Sequence, residues 1–588
     1  MSRLLSPILP AILPATLLVV GSCSLYMDPD PPPPGRPITG GTLLVTRDGN
    51  FAVASDSERD RVVMVDLSTN TLVASVPLEP GDEPGRLVED GAGRIHVALR
   101  RGGAVVTIAG TISGEPAVDR RPVCAAPRGL AWEERRDLLH VACATGELVS
   151  LPPAGGAAVR SLVLDRDLRD VVVVGDQLLV TRFRAADALW IAADGSVTSR
   201  VQPATITRDG PFGGGDPEQV AVPAVAWRTA SWRGNRAVMV HQRAARTPLS
   251  IQPGGYGGGG CSSQIESTIT IFDPAFPSPG AALAFPFGAL PVDISVSPTY
   301  DNVAVVMAGD PSVRVVSIAS MTTPSTSPCG FVSTEIREPA DIGLGRPVAV
   351  AHTPAGRLVV QYERGLSVPD ETNWTRVVVF ADVPDDPGKQ RFHQATFTGL
   401  ACASCHPEGL DDGLAWDFDE LGRRRTQNLS GNLRERAPYH WGGDMNTLHK
   451  LVDDVLVGRM GSEPLSVGDE RALEEFLFNL PPPPAPTGLD AAAVARGRAV
   501  FESAEMGCTT CHNGEIYTNN AMADVGTGGR FKVPSLIGVG WRAPYMHTGC
   551  AITLRDRFGA CGGGASHGAT DTLDEAQLGD LITFLESL

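Results

Sequence analysis

Lysine is almost missing from this 588-residue chain: Lys389, Lys450 and Lys532 are the only three among 49 basic residues. Acidic residues number 67, the formal net charge is −18, and no long stretch is rich in Lys or Arg. The basic face that neutralises nucleic-acid phosphates is therefore lacking, and a nucleic-acid partner is excluded. The lysine bias itself follows genome composition and carries no functional weight. Beyond residue 40 there is no apolar run of the roughly 20 residues that a membrane-spanning helix needs. Aromatic residues are also scarce, at 6%. What is abundant is hydrophobic content, 43%, which excludes a disordered chain, and turn residues, 65 Gly and 48 Pro without a period, which exclude collagen. Many turns and few aromatics point to short strands, and the length points to more than one domain.

The one early apolar run, from Ile8 to Val20, follows Arg3 and is interrupted by Pro10 and Pro14. It is too short to span a bilayer and reads as a signal segment. Its end, Val20-Gly21-Ser22-Cys23, resembles a bacterial lipoprotein signal, which makes 1–22 the signal peptide and Cys23 the lipidated N-terminus. The proline run after Asp28 makes 23–41 an extended tether. The expectation is an exported, periplasmic or cell-surface protein held to the membrane by its lipid.

Residues 42–384 alternate short apolar runs with turn signals, and no amphipathic helix interrupts them. A largely apolar tetrapeptide recurs as Pro84-Gly-Arg-Leu87, Pro127-Arg-Gly-Leu130, Leu168-Arg-Asp-Val171, Pro223-Ala-Val-Ala226, Pro291-Val-Asp-Ile294 and Pro347-Val-Ala-Val350, with a first copy near Thr42. The spacings, 42, 43, 41, 55, 68 and 56 residues, suit four-stranded β-propeller blades, about seven in all. Repeats such as Arg61-Val-Val-Met-Val-Asp-Leu-Ser-Thr-Asn-Thr-Leu-Val-Ala-Ser-Val76 resemble the YVTN class of bacterial extracellular propellers, relatives of the WD40 type. The Gly-rich stretch from Gln252 to Cys261 has neither a Lys-Ser/Thr pair nor a following helix, so it is an inter-strand loop and not a phosphate cradle. His241 lies in a strand of that blade, where a hydrogen-bonded core histidine is the ordinary expectation.

After residue 385 helical spacing takes over, in 447–456, 469–478 and 572–585. The proline run 481–486 divides this region into 385–486 and 487–588, read as two all-α cytochrome c-type domains. Each contains one Cys-x-x-Cys-His: Cys402, Cys405 and His406, then Cys508, Cys511 and His512. With 11 Cys and 11 His in the chain, composition alone predicts about 0.004 such pentapeptides. The spacing suits covalent haem c, with both thiols forming thioethers and the adjacent imidazole binding iron. A zinc ribbon would bring its Cys pairs within about 20 residues of each other. The pairs here start 106 residues apart, and Ala437-Pro-Tyr439 and Ala543-Pro-Tyr545 share that offset. The region is a duplicated module, and two haems are expected.

With Ala437-Pro-Tyr-His-Trp-Gly-Gly443 and Val533-Pro-Ser-Leu-Ile-Gly-Val-Gly-Trp-Arg-Ala-Pro-Tyr-Met-His-Thr-Gly549, residues 385–588 resemble the bacterial di-haem cytochrome c peroxidase and MauG family. The resemblance implies one electron-transfer haem, one peroxide-facing haem, a bridging tryptophan matched by Trp441, and calcium, which no residue here places. It also implies an electron donor such as a small cytochrome or cupredoxin. Arg459 and Met460 stand where family peroxidases carry an acid–base glutamate, so Met460 is the first candidate distal ligand of the first haem, ahead of His393, His440 and His449. Glu408 is the nearest alternative acid. For the second haem the family's methionine is missing, and His567 leads over Met546 and His547. Three functions follow: electron transfer with reduction of hydrogen peroxide, MauG-like oxidation of a partner held by the propeller, or non-enzymatic electron transfer or redox sensing. The propeller's own ligand is not legible. Cys124, Cys143, Cys261, Cys329, Cys550 and Cys561 remain for disulfides, with Cys124–Cys143 and Cys550–Cys561 the pairs closest in sequence.

Overall fold

The computed structural model describes residues 35–110, 116–208, 219–257, 263–276, 279, 283–285, 288–322, 334–337, 343–369, 376–380 and 385–588. Residues 1–22, read from sequence as a signal peptide, and Cys23, Cys261 and Cys329 lie outside them.

Seven antiparallel sheets, six of four strands and one of five, occupy 43–77, 84–122, 127–163, 168–201, 206–284, 291–337 and 347–379. They are the blades of a seven-bladed propeller. Middle strands such as Ile95–Leu99 are buried throughout, because neighbouring blades cover both faces, whereas outermost strands such as Val197–Val201 lie mostly in solvent. The apolar core accordingly forms between blades, one cluster joining the first and second, others the second and third and the third and fourth.

The recurring tetrapeptides open the inner strands of blades 2, 3, 4, 6 and 7. Blade 5 differs. Pro223 falls inside the 14-residue strand Gln219–Trp232, whose N-terminal end projects far enough to pair with the extra strand Ile206–Arg208. The ring closes without a shared blade: Thr42 donates to Gln361 at 2.8 Å, Gln361 to the Ser55 carbonyl at 2.9 Å, and Arg61 to the Phe380 carbonyl at 2.7 Å. His241 is buried and bonded to Thr268, Thr270 and the Gln242 carbonyl, a satisfied core histidine. Cys124–Cys143 and Cys550–Cys561 are disulfides.

Residues 35–41, assigned to the tether by composition, are packed between the propeller and the first helical module. Gly35 donates to the Asn479 carbonyl at 2.9 Å, Ile38 to His393 Nε2 at 3.0 Å, and the Thr39 carbonyl accepts from Arg169 at 2.8 Å.

The two modules repeat one plan. Each begins and ends with a helix, Pro387–His393 and Val467–Phe478 in the first, Ala491–Glu502 and Glu575–Glu586 in the second, and each such pair packs together. The crossings are tight. A Cβ on Gly388 would stand 2.1 Å from the Ala472 carbonyl oxygen, and one on Gly497 1.9 Å from that of Asp580. The all-α expectation needs correction, since each module inserts a two-stranded hairpin, Ala415–Phe418 with Gly422–Arg425 and Met522–Asp524 with Arg530–Lys532. These strands are three or four residues long and rich in charge, too short and polar for apolar alternation to betray them. The hairpins are exchanged. Arg425 N–H donates to the His547 carbonyl at 2.7 Å, and Lys532 N–H donates to the Trp441 carbonyl at 2.9 Å, so each hairpin ends on the other module. Among the described residues no helix is long and apolar enough to cross a membrane.

Candidate functional site

A cavity of about 620 Å³ opens beside the first motif, within the size range of small-molecule and cofactor sites. Cys402, Cys405 and His406 form one wall, Leu400, Leu429, Leu433, Leu448 and Leu456 line much of the remainder, and Met460, His440 and Trp441 complete the first module's share. The propeller contributes Leu249, Ile251 and Tyr256, the last from the Gly-rich stretch Gln252 to Cys261 that reads from sequence as an inter-strand loop. That loop docks through backbone bonds from Gly254 to the Gly458 carbonyl (2.8 Å) and from Tyr256 to the Arg459 carbonyl (3.1 Å). Arg459 in turn donates to the Tyr256 hydroxyl at 3.2 Å.

The motif histidines are prepared alike. His406 Nδ1 donates to the Leu410 carbonyl at 3.3 Å and His512 Nδ1 to the Tyr517 carbonyl at 3.1 Å. A donating Nδ1 leaves Nε2 as the ring's lone-pair nitrogen, the form that ligates a metal. Burial pushes both imidazoles down to about 4, so they are neutral at pH 7. Burial also pushes the Cys402 thiol up to about 12 and Cys405 well above its ordinary value. All four motif cysteines are free thiols, while Cys124, Cys143, Cys550 and Cys561 are paired.

At the second motif, His567 faces His512. The ring centroids are 6.3 Å apart, the planes are 25° from parallel, and His567 Nδ1 donates to the Gly562 carbonyl at 3.0 Å. The separation leaves room for a metal between the rings at about 2 Å per bond. Met546 and His547 are drawn elsewhere: Met546 lines the first cavity, and His547 stacks on Phe531 with centroids 3.8 Å apart.

The first motif's alternatives separate as clearly. His393 uses both nitrogens on backbone, and His449 is exposed and bonded to Glu470 and Asp453. Met460 is buried in the cavity wall at the end of an eight-residue π-helix, Val452–Arg459, with its N–H on the Val455 carbonyl at 2.8 Å. Such wide turns are rare and gather at functional sites. His440 also lines the cavity, at φ 65° and 3.5 Å from Asp444. Trp441 stands where the modules meet, its Nε1 on the Arg425 carbonyl at 2.8 Å and its ring 6.2 Å from that of His547.

Glu408 is not an acid–base group. It is buried at the propeller's inner strands, 2.6 Å from Arg100, 2.6 Å from Arg169, and in contact with Arg128. Burial alone would raise its pKa, but Arg100, Arg169 and Arg128 outweigh it and hold the carboxyl well below its ordinary range. Sequence reasoning missed this latch. Its signal was the arginine at the second position of two successive tetrapeptides, Arg128 and Arg169; Arg86, in the tetrapeptide before them, pairs with Asp170 instead.

Asp412 behaves oppositely. Burial, with Asp411 adding to it, pushes this carboxyl up to about 7. The folded state therefore keeps a proton that the unfolded chain releases near pH 4, and this group makes stability fall as pH rises from about 4 to about 7. Asp412→Asn is expected to remove that component, seen as a smaller drop in Tm between pH 5 and pH 8 than in the wild type. An unchanged drop would refute the assignment.

No family model matches the chain, and no curated protein matches it. Among solved structures, a hydrazine synthase chain from Kuenenia stuttgartiensis aligns with a TM-score of 0.44 at 15% identity, covering 60% of this chain and 99% of that one. A second hydrazine synthase structure from the same organism aligns at 0.31 and 24% identity, over 34% of this chain and 86% of that one. A streptogramin B lyase aligns at 0.35 and 10%, over 56% and 92%. These are likenesses of fold, and function rests on the chain's own residues.

The residues fit covalent haem: paired free thiols, neutral imidazoles with Nδ1 satisfied, and a largely apolar cavity. Among the described residues no group of three or more His, Cys, Asp or Glu is arranged to hold a metal ion.

Proposed function

We propose that the chain is an exported, lipid-anchored electron-transfer protein carrying two covalent haem c groups. The observation that carries this reading is His567 facing His512 beside the second Cys-x-x-Cys, both rings tautomerically set to ligate. Cys402 and Cys405 would hold the first group and Cys508 and Cys511 the second, with His406 and Met460 as candidate iron ligands of the first and His512 and His567 of the second. Bound haem supplies a one-electron iron couple. The protein's own part is to hold the ligands, exclude water with the leucine-rich wall, and place Trp441 and His547 where the modules meet. Electrons would come from a small cytochrome or cupredoxin, with the membrane reached through Cys23. Two haems per chain are expected by pyridine haemochrome assay, one in Cys402→Ala or Cys508→Ala. His567→Ala should turn the second haem from low-spin to high-spin by EPR, and an unchanged spectrum would remove His567.

A second reading, reduction of hydrogen peroxide, is carried by His440 and Asp444, the acid–base pair lining the first cavity. It requires an iron open toward them. With Arg459 and Met460 in the glutamate's place and Glu408 locked by arginines, the site favours electron transfer alone. Two low-spin haems at every stage of reduction, with no peroxide turnover, would decide it so.

A further inference from the structure

Three cations meet where the modules join, without an acid. Arg436 and Lys532 are 6% and 4% exposed, and both line the cavity with Arg542. Arg436 and Arg542 occupy matching places in the two Arg-Ala-Pro-Tyr copies, 106 residues apart. Their hydrogen bonds all go to backbone carbonyls: Arg436 to Asn428 and Ser430, Lys532 to Arg436 at 2.7 Å, Arg542 to Ser535 at 2.6 Å and to Ile537. Among the described residues none of the three forms an ion pair with a carboxylate. The nearby acid, Asp411, is already shared by Arg425 at 2.8 Å and Arg184 at 3.2 Å, and Asp444 is turned to His440. Burial and the neighbouring guanidiniums push Lys532 down to about 8; burial likewise pushes Arg542 down to about 10. Buried charges of one sign are costly unless an opposite charge joins them.

We propose that Arg436, Lys532 and Arg542 are a binding site for paired carboxylates, those of the propionate arms of the haem attached at Cys402 and Cys405. The inference rests on the haem reading and extends it, because two of the three cations come from the second module. The first haem is clamped by the half of the duplication to which it is not bonded, and its carboxylates complete the contact between the modules.

The test uses the full-length protein as purified, with spectroelectrochemical titration from pH 5 to pH 9 and EPR to tell the haems apart. With its carboxylates paired, the first haem should keep a potential nearly independent of pH. Lys532→Met and Arg542→Gln each remove a positive charge that disfavours ferric iron, so each should lower that potential and make it pH-dependent, while Arg436→Lys, which keeps the charge, should match the wild type. Unmoved potentials and a flat pH profile in both charge-removing variants, with two haems present, would overturn it. A wild-type protein without covalent haem would instead overturn the reading on which it rests.

Discussion

Glu408→Ala is expected to lower the unfolding free energy by about 3–5 kcal/mol, the scale on which a broken buried ion pair leaves its partner charged and unsolvated. Here the damage is concentrated, because Arg100, Arg128 and Arg169 converge on one carboxylate. Arg100 also holds Glu83 at 3.0 Å and keeps a partner, whereas among the described residues Arg128 and Arg169 form no other ion pair. Glu408 follows His406 by two residues and sits at φ 56°, so the strain of a left-handed residue is sustained by the same three contacts. The effect should be local as well as global. The amides of 402–412 should gain more in exchange rate than those of the blades, which lose only the protection set by global unfolding. Glu408→Gln, which preserves shape, separates charge from packing. Because the folded pKa is depressed, the contribution is fully present above the ordinary glutamate value and is lost only as pH falls through the depressed one. Between pH 8 and pH 5 the gap between wild type and Glu408→Gln should therefore stay nearly constant. Thermal unfolding across that range would show it, and equal stability of the two proteins would refute the latch.

Gly497→Ala is the second large effect. Alanine is the better helix former by about 1 kcal/mol at an exposed site. At this crossing its methyl carbon would lie 1.9 Å from the Asp580 carbonyl oxygen, so the first and last helices of the second module must separate. A cost of about 2–3 kcal/mol is expected, at the upper end for overpacking, since backbone and not a flexible side chain blocks the new atom. Gly388→Ala, at 2.1 Å from the Ala472 carbonyl oxygen, should do the same to the first module. Denaturant unfolding compared with a helical control, Gly579→Ala, where nothing lies within 4 Å of the added Cβ, isolates the steric term. A gain in stability at Gly497 would show that the helices do not cross there.

The propeller was legible because its signal is repeated: five of the tetrapeptides open inner strands, and a period of 41 to 43 residues in the early blades leaves little else to build. The two Cys-x-x-Cys-His motifs stand out because five residues carry the whole pattern. What escaped was every feature made by distant partners. Glu408 reads as an ordinary acid until Arg169 arrives from 239 residues away, and Arg100 from 308. His567 could be ranked but not placed, since its ring is aimed by the Gly562 carbonyl within a run of short 3₁₀ turns that has no apolar period. The lysine count was set aside as compositional, and at Lys532 that judgement discarded a residue the fold buries beside two arginines.

The exchanged hairpins act as a ruler. Because Arg425 is bonded to the His547 carbonyl and Lys532 to the Trp441 carbonyl, the gap between the two Cys-x-x-Cys-His sites is spanned by main-chain hydrogen bonds in both directions, and neither site can recede without rupturing one of them. On the proposed function, charge crossing that gap would meet a tunnelling distance held by these two bonds, so its rate would track the difference in potential between the two ends and be indifferent to solvent viscosity.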